Sequence, residues 1–231
     1  MDKYNSRCTI KNTSFFSTFA LRNKNGKWRP SIRALRYATV FLVHLLFVLS
    51  FRADIQILEG DISGSRILGF HLADPFATLE VIAAHKDLPI NLLIGSGTIL
   101  LFYFIAGGKA FCSWICPYGA LSEIGEKLHN TLISKHVIKE RALPRGMRYA
   151  IWAVFLLLSA ITDLLVFEIF NVVGILSRLI IYGFSLAGLW IVFVFLLEVF
   201  FSRRVWCTHL CPLGSTYSLA AKASLSKITW D

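Results

Sequence analysis

The chain reads as an all-α, polytopic membrane protein: a four-transmembrane-helix bundle with a 2+2 pseudo-repeat and both termini in the cytoplasm. Three observations carry that expectation. Of 231 residues, 55% are hydrophobic and only 16% charged, against about 25% charged in an ordinary soluble domain. The apolar residues are gathered into four runs instead of being spread along the chain. The Lys and Arg residues fall almost entirely on one side of those runs.

In chain order, residues 1–36 form a basic cytoplasmic arm with nine Lys/Arg and one acid. Anionic lipid head groups are its natural surface. FFSTFAL at 15–21 is too short for a signal peptide core and has no small-residue cleavage site after it. The first run, Tyr37–Phe51, is therefore expected to stay in the membrane as a signal anchor. A helix needs roughly 20 apolar residues to cross a ~30 Å core, so this run borrows Ala34, Leu35 and snorkelling Arg36 and Arg52. Pro89–Gly108, Tyr149–Phe170 and Leu179–Phe201 are the other three spans, making 37–201 a four-span membrane domain and 202–231 a cytoplasmic tail. Residues 107–148 carry seven Lys/Arg, and the tail from 198 carries four. The intervening stretches 52–87 and 163–178 carry three and one. The positive-inside rule then puts the termini and the 107–148 loop in the cytoplasm, most simply of a bacterial inner membrane. The net charge of +10 follows this topology. With no aromatic-interleaved basic motif, nucleic-acid binding is excluded.

Two stretches carry chemistry: FCSWICPYG at 111–119 and WCTHLCPLG at 206–214. They align without gaps, Cys112, Cys116, Pro117 and Gly119 on Cys207, Cys211, Pro212 and Gly214. Each follows an even-numbered span, so the chain reads as two copies of one unit, and such repeats meet around shared sites. Cytoplasmic thiols stay reduced, which argues against a disulfide. Palmitoylation needs neither a pair nor a proline. A tetrahedral zinc site could use all four thiolates. Cys-x-x-x-Cys-Pro is also how the bacterial ferredoxin run ends. Proline suits the first position of a helix, so YGALSEIGEKLH at 118–129 is expected to be a helix. Its free N–H groups would face the sulfurs and stabilise thiolates or an anionic cluster. Lys109, Arg203 and Arg204 add positive charge. A metal or redox role for Cys112, Cys116, Cys207 and Cys211 outweighs the blander readings. Cys8, in the polar arm, is expected to be an ordinary free thiol.

GKAFCSWICPYGALSEIGEKL, WCTHLCPLGSTY ninety-five residues later and LADPFATLE at 72–80 together resemble NapH-type quinol dehydrogenase membrane subunits of periplasmic nitrate reductase systems. These belong to a wider group of 4Fe–4S membrane proteins with MauN, NosR-type and CcoG-type members. The resemblance covers about 36–217. It implies four spans, a 4Fe–4S cluster, quinol as electron donor, and transfer with a ferredoxin-like NapG-type partner towards periplasmic nitrate reductase. Family members continue past the second motif into a ferredoxin domain. The sequence has no cysteine after Cys211, so only the four motif cysteines carry over. Two alternatives stand: an assembly or metal- and thiol-reducing factor for another respiratory enzyme, and a zinc-stabilised membrane anchor for a ferredoxin-like partner.

His44, in mid-span, is a quinol-site candidate or an interhelix contact. No other span holds a histidine, so haem is not expected. His71 and Asp74 could accept the protons of quinol oxidation. Alternatively Asp74-Pro75 simply caps a helix beginning at Pro75. Arg178 is expected to pair with Asp163 or Glu168, and Glu198 with Arg203 or Arg204. Trp114 and Trp206 suit the interfacial aromatic belt. His209 is either a ligand or a solvent-facing side chain. Gly95 and Gly97 are expected to allow close helix packing.

Overall fold

A computed structural model describes residues 20–22, 28–53, 58–67, 70–86, 89–107, 110–138, 143–144 and 146–222. Cys8, the 15–19 part of FFSTFAL and Lys109 lie outside them, as does everything beyond 222 in the tail. The described chain is mostly helical. α1 is Ile32–Arg52, capped by Ser31, whose hydroxyl accepts from the Ala34 N–H at 3.1 Å. α2 (Pro75–His85) and α3 (Ile90–Ala106) follow, then the short α4 (Ala110–Trp114) and α5 (Pro117–Ser134). The second half contains α6 (Met147–Thr162), α7 (Val166–Phe170), α8 (Val172–Tyr182), α9 (Gly188–Phe200), a π-helical turn at Trp206–Leu210, and α10 (Pro212–Lys222).

The all-α expectation misses five short strands. β1 (Ala20–Arg22) and β2 (Trp28–Pro30) pair antiparallel inside the basic arm. β3 (Leu58–Gly60), β4 (Gly64–Ile67) and β5 (Phe70–Ala73) form an antiparallel sheet with Gly64 opposite Ala73 and Ile67 opposite Phe70. Along β5, apolar Phe70 and Leu72 flank polar His71, a strand period and not a helical one.

The apolar runs also divide differently from the sequence reading. The third run does not continue to Phe170: α6 ends at Thr162, because Asp163 turns left-handed with φ 54°. The fourth run breaks at Gly183, φ 100°, so Leu179–Tyr182 closes α8 and the next helix starts at Gly188. α1, with 21 residues, is the one helix among the described residues long and apolar enough to cross a membrane, while α3, α6, α8 and α9 are apolar but shorter. At 1.5 Å per residue α1 is roughly 32 Å long, matching a ~30 Å hydrocarbon core. Large apolar side chains stand exposed on α1 (Phe41, Leu46), α3 (Leu101, Phe102), α6 (Leu157, Ile161) and α9 (Leu189, Phe193).

Packing makes the repeat concrete. α2 of the first half packs on α6 of the second, and α8 of the second on α1 of the first. The helix after each cysteine motif crosses over in the same way, α5 onto α9 and α8, and α10 onto α3 and α2. Each inserted helix has eleven residues and an Asx N-cap: Asp74 accepts from Phe76 N–H, and Asn171 from Gly174 N–H. The contacts between the halves are thus reciprocal, the pattern of a pseudo-two-fold, with α5 and α10 both packed on helices of the opposite half. The core where the halves meet is aromatic, with Phe76, Tyr118, Phe167, Trp206 and Tyr217 all buried.

Candidate metal centre

Both cysteine motifs have one backbone design. Cys116 N–H donates to Phe111 carbonyl at 3.1 Å, and Cys211 N–H to Trp206 carbonyl at 2.8 Å. Each bond spans five residues, the π pattern that occurs frequently at functional sites. The second cysteine of each motif is in extended conformation, and the proline after it opens α5 or α10. Proline fits there because its missing N–H would have been an orphan in any case. The glycine two residues on lets the new helix approach the motif. A Cβ at Gly119 would come within 2.7 Å of the Cys112 carbonyl oxygen.

The pseudo-two-fold brings the motifs together. Cys207 feels Cys116, Cys211 and Cys112, and Cys211 feels Cys112 and Cys116. Cys116 is buried, Cys207 and Cys211 half-buried and Cys112 exposed. None of the four is in a disulfide. N–H groups at the new helix starts face the sulfurs as the sequence predicts: Tyr118 and Gly119 towards Cys116, and Gly214 towards Cys211 Sγ at 3.5 Å. Their effect on the thiols is outweighed. Burial pushes the Cys116 thiol up to about 12, with Cys112 adding to the rise. Burial likewise raises Cys207 and Cys211. In the metal-free chain, desolvation and mutual repulsion favour the protonated thiol at Cys116, Cys207 and Cys211. Such thiols ionise when a metal replaces the proton.

The donor set fits an iron–sulfur group: four sulfurs from two symmetric loops, with backbone N–H groups on two of them. Among the described residues no three His, Cys, Asp or Glu side chains stand close enough to hold a single metal ion.

The surrounding polar groups were legible only in part. Arg36 is not a snorkelling flank. Its guanidinium donates to the Ser113 carbonyl at 2.7 Å, inside the first motif, and pairs with Glu123 at 2.9 Å. Thr39 donates to the Trp114 carbonyl at 3.1 Å. These two bonds satisfy carbonyls that the short α4 leaves open. Arg204 does not pair with Glu198. It binds Glu126 at 2.6 Å and Glu123 at 3.7 Å, tying α5 to the second motif. Glu198 is fully buried and accepts from Trp206 N–H at 3.2 Å, with the Tyr118 and Ser122 hydroxyls facing it and Cys207 within its field. His129, also fully buried, bonds the Val199 carbonyl at 2.7 Å. Sequence signals for Arg36–Ser113, His129–Val199 and Arg204–Glu126 are absent, because each joins residues 70 or more positions apart.

The other candidates separate. His44 is buried in α1 with Nδ1 on the Val40 carbonyl of its own helix at 2.7 Å, so it is not an interhelix contact through that nitrogen. His71 is exposed on β5. His209 is taken up by Thr208 at 2.8 Å and the Leu143 carbonyl at 3.3 Å. Trp206 lies in the core and not in an interfacial belt. Arg178 does pair with Glu168, but its second partner is Asp61 at 2.6 Å, and Asp163 is exposed. Asp74 caps α2 as one reading holds, with Oδ1 3.1 Å from Phe76 N. It is nevertheless 5% exposed, its Oδ2 has no hydrogen-bond partner, and Cys211 and Tyr217 lie within its field. Burial raises its carboxyl to about 7.

The family model of a 4Fe-4S binding domain matches residues 88–136 and 182–230, one match over each motif. The chain is 36% identical to the ferredoxin-type protein NapH of Haemophilus influenzae over 75% of its own length and 60% of the relative's. It is 33% identical to the methylamine utilization ferredoxin-type protein MauN of Methylorubrum extorquens over 84% of its length and 67% of the relative's. NapH of Escherichia coli is 32% identical over 85% of the chain and 68% of the relative. The chain thus spans about two thirds of the length of these relatives. No solved structure matches it. With both motifs inside the matched segments, the chain belongs to the NapH/MauN family of ferredoxin-type proteins.

Proposed function

We propose that the chain is a membrane electron-transfer subunit in which Cys112, Cys116, Cys207 and Cys211 together hold one 4Fe–4S cluster. The observation that carries this is the convergence of two identical motifs, ninety-five residues apart, across the pseudo-two-fold. A cluster so held takes up and releases single electrons. The chain's own residues supply four thiolate ligands, N–H donors from the starts of α5 and α10, and an apolar shell of Phe111, Trp206 and Tyr217.

The exposed apolar faces of α1, α3, α6 and α9 support these four helices as the spans of a bacterial inner-membrane protein, with the motifs towards the basic, cytoplasmic side. Quinol is the donor this reading assigns, and a ferredoxin-like partner the acceptor. The NapH relatives suggest a periplasmic nitrate reductase at the end of the chain. The MauN relatives carry methylamine utilization in their name, so the terminal enzyme is the least fixed part of the reading.

Anaerobic purification followed by iron and acid-labile sulfide analysis tests the shared centre. Wild-type protein is expected to hold both at the stoichiometry of one cluster per chain. Cys112→Ser and Cys207→Ser are each expected to lose the whole cluster, not half of the metal. Zinc in place of iron, or independent half-losses, overturns the reading.

A further inference from the structure

A cavity of about 340 Å³ lies where the two halves meet on the α1–α3 side. Its size is near the lower end for small-molecule sites, about 300–1,000 Å³. Val43 and Phe47 of α1, Ile99 and Phe102 of α3, and Leu213 and Tyr217 of α10 give it mostly apolar walls. Phe102 and Thr98, on its rim, are exposed on the apolar outer surface of the bundle. The cavity is thus reached from the side where lipid is expected.

Its polar groups are few and placed at one end. Asp74 lines it, with Oδ1 engaged by the α2 cap and Oδ2 buried without a partner. A buried carboxyl oxygen left unpaired is costly, so it calls for an occupant. Tyr217 stands between this end and the cysteines. Its ring is 5.0 Å from Tyr103 and 5.1 Å from Phe111, and Asp74, Cys112 and Cys211 all act on its hydroxyl. A lipid acyl chain would fill the apolar part but leave Asp74 Oδ2 unpaired. A charged water-soluble molecule would face apolar walls and an apolar rim. A lipid-soluble aromatic ring bearing oxygen satisfies both ends, and its face suits the tyrosine rings. Its place beside the cysteine centre selects a redox-active ring.

We propose that this cavity binds the ring of a quinol or quinone, with one ring oxygen on Asp74 Oδ2, its face against Tyr217, and its tail leaving past Phe102. The ionised carboxylate accepts from a quinol hydroxyl, and the protonated acid donates to a quinone carbonyl. This site assignment rests on the quinol-oxidation reading above, yet its binding test is separate from electron transfer.

The probe is decylubiquinone, whose fully substituted ring does not alkylate thiols. Its equilibrium binding to the detergent-purified chain is read by quenching of tryptophan fluorescence. Asp74→Ser keeps an N-cap hydroxyl but withdraws the second oxygen. Thr98→Trp adds bulk at an exposed rim position without burying anything new. Each is expected to weaken binding about tenfold or more, with iron content close to wild type and thermal stability no lower than wild type. Wild-type affinity in both variants overturns the site. If decylubiquinol reduces the wild type and both variants equally, the site falls and the electron-transfer reading stands. If binding is lost in the variants but decylubiquinol never reduces the wild-type cluster, the site stands and that reading falls.

Discussion

The two halves of the bundle follow one chain path and treat one crevice differently. At positions ninety-five residues apart, Gly95 and Thr98 of the first half stand opposite Trp190 and Phe193 of the second, and Phe111 opposite Trp206. In the second half these aromatics pack on one another: Trp190 lies 5.4 Å from Phe193, stacked, and 6.4 Å from Trp206, edge-on. In the first half the small residues admit β5 against α3 and leave the 340 Å³ cavity beside it. The exchange across the axis is kept even where chemistry changes. Tyr103 meets Tyr217 of α10, and at the matching positions Glu198 faces Ser122 of α5. The difference teaches that symmetry is retained where both halves must serve one centre, the cysteines, and abandoned where only one crevice needs to stay open.

The largest expected effect is at the residue that lets the first half depart from the second. A Cβ at Gly95 would stand 1.8 Å from the His71 carbonyl oxygen, a backbone atom that cannot rotate away. Gly95→Ala is therefore expected to push β5 off α3 and cost on the order of 3 kcal/mol or more. Two residues on, a Cβ at Gly97 meets nothing within 4 Å. Gly97→Ala is expected to be neutral, or stabilising by up to about 1 kcal/mol through helix propensity. Thermal unfolding in detergent compares the two. Equal melting temperatures would mean that the β5 sheet does not rest on α3 as described.

The next comparison concerns the motifs. A Cβ at Gly119 meets the Cys112 carbonyl oxygen at 2.7 Å, whereas at Gly214 the matching contact with the Cys207 carbonyl is an ordinary 3.6 Å. Gly119→Ala is expected to strain the first motif by about 1–3 kcal/mol and to lower iron per chain markedly. Gly214→Ala is expected to keep near wild-type iron. Similar losses in both would make the two motifs equivalent in packing, against the asymmetry seen here.

Hydropathy and the two motifs were enough to expect helices, a repeat and a four-cysteine centre, because apolar runs and Cys-Pro-x-Gly spacing are local signals. The rest was not local. Asp163 and Gly183 end α6 and α8 inside runs that average as continuously apolar, so α6 merged with α7, and the end of α8 with α9, in the sequence reading. A helix beginning at Pro75 was one reading of Asp74-Pro75, yet nothing in its composition says that it packs on α6 of the other half. Arg36 at the edge of an apolar run reads as a snorkelling residue, yet Ser113 and Glu123 hold it, 77 positions away in the first case. Asp74 was read as a cap or as a proton acceptor, and the geometry lets one carboxylate oxygen cap while the other faces the cavity.

The last comparison separates the two Asx caps by pH. Asp74 and Asn171 open the equivalent helices α2 and α8, but only Asp74 can ionise. Burial raises its carboxyl from 3.8 to about 7 in the folded chain. A raised carboxyl means that the unfolded chain ionises first, so the folded state loses stability as pH climbs from about 4 to about 7 and no further above that. The slope is at most about 1.4 kcal/mol per pH unit. Asp74→Asn keeps the cap and removes the titration. Its melting temperature is thus expected to gain on the wild type between pH 4 and 7 and then run parallel. Asn171→Asp places a carboxylate where Asn171 now donates to Glu168 at 3.1 Å and to Ser63 at 3.2 Å. Two lost donors and a like charge beside Glu168 are expected to give the second half the pH-dependent weakness that the first half carries by design. If Asp74→Asn instead tracks the wild type across the whole range, Asp74 is ionised throughout, and the unpaired oxygen at the cavity already has a cationic or hydrated partner.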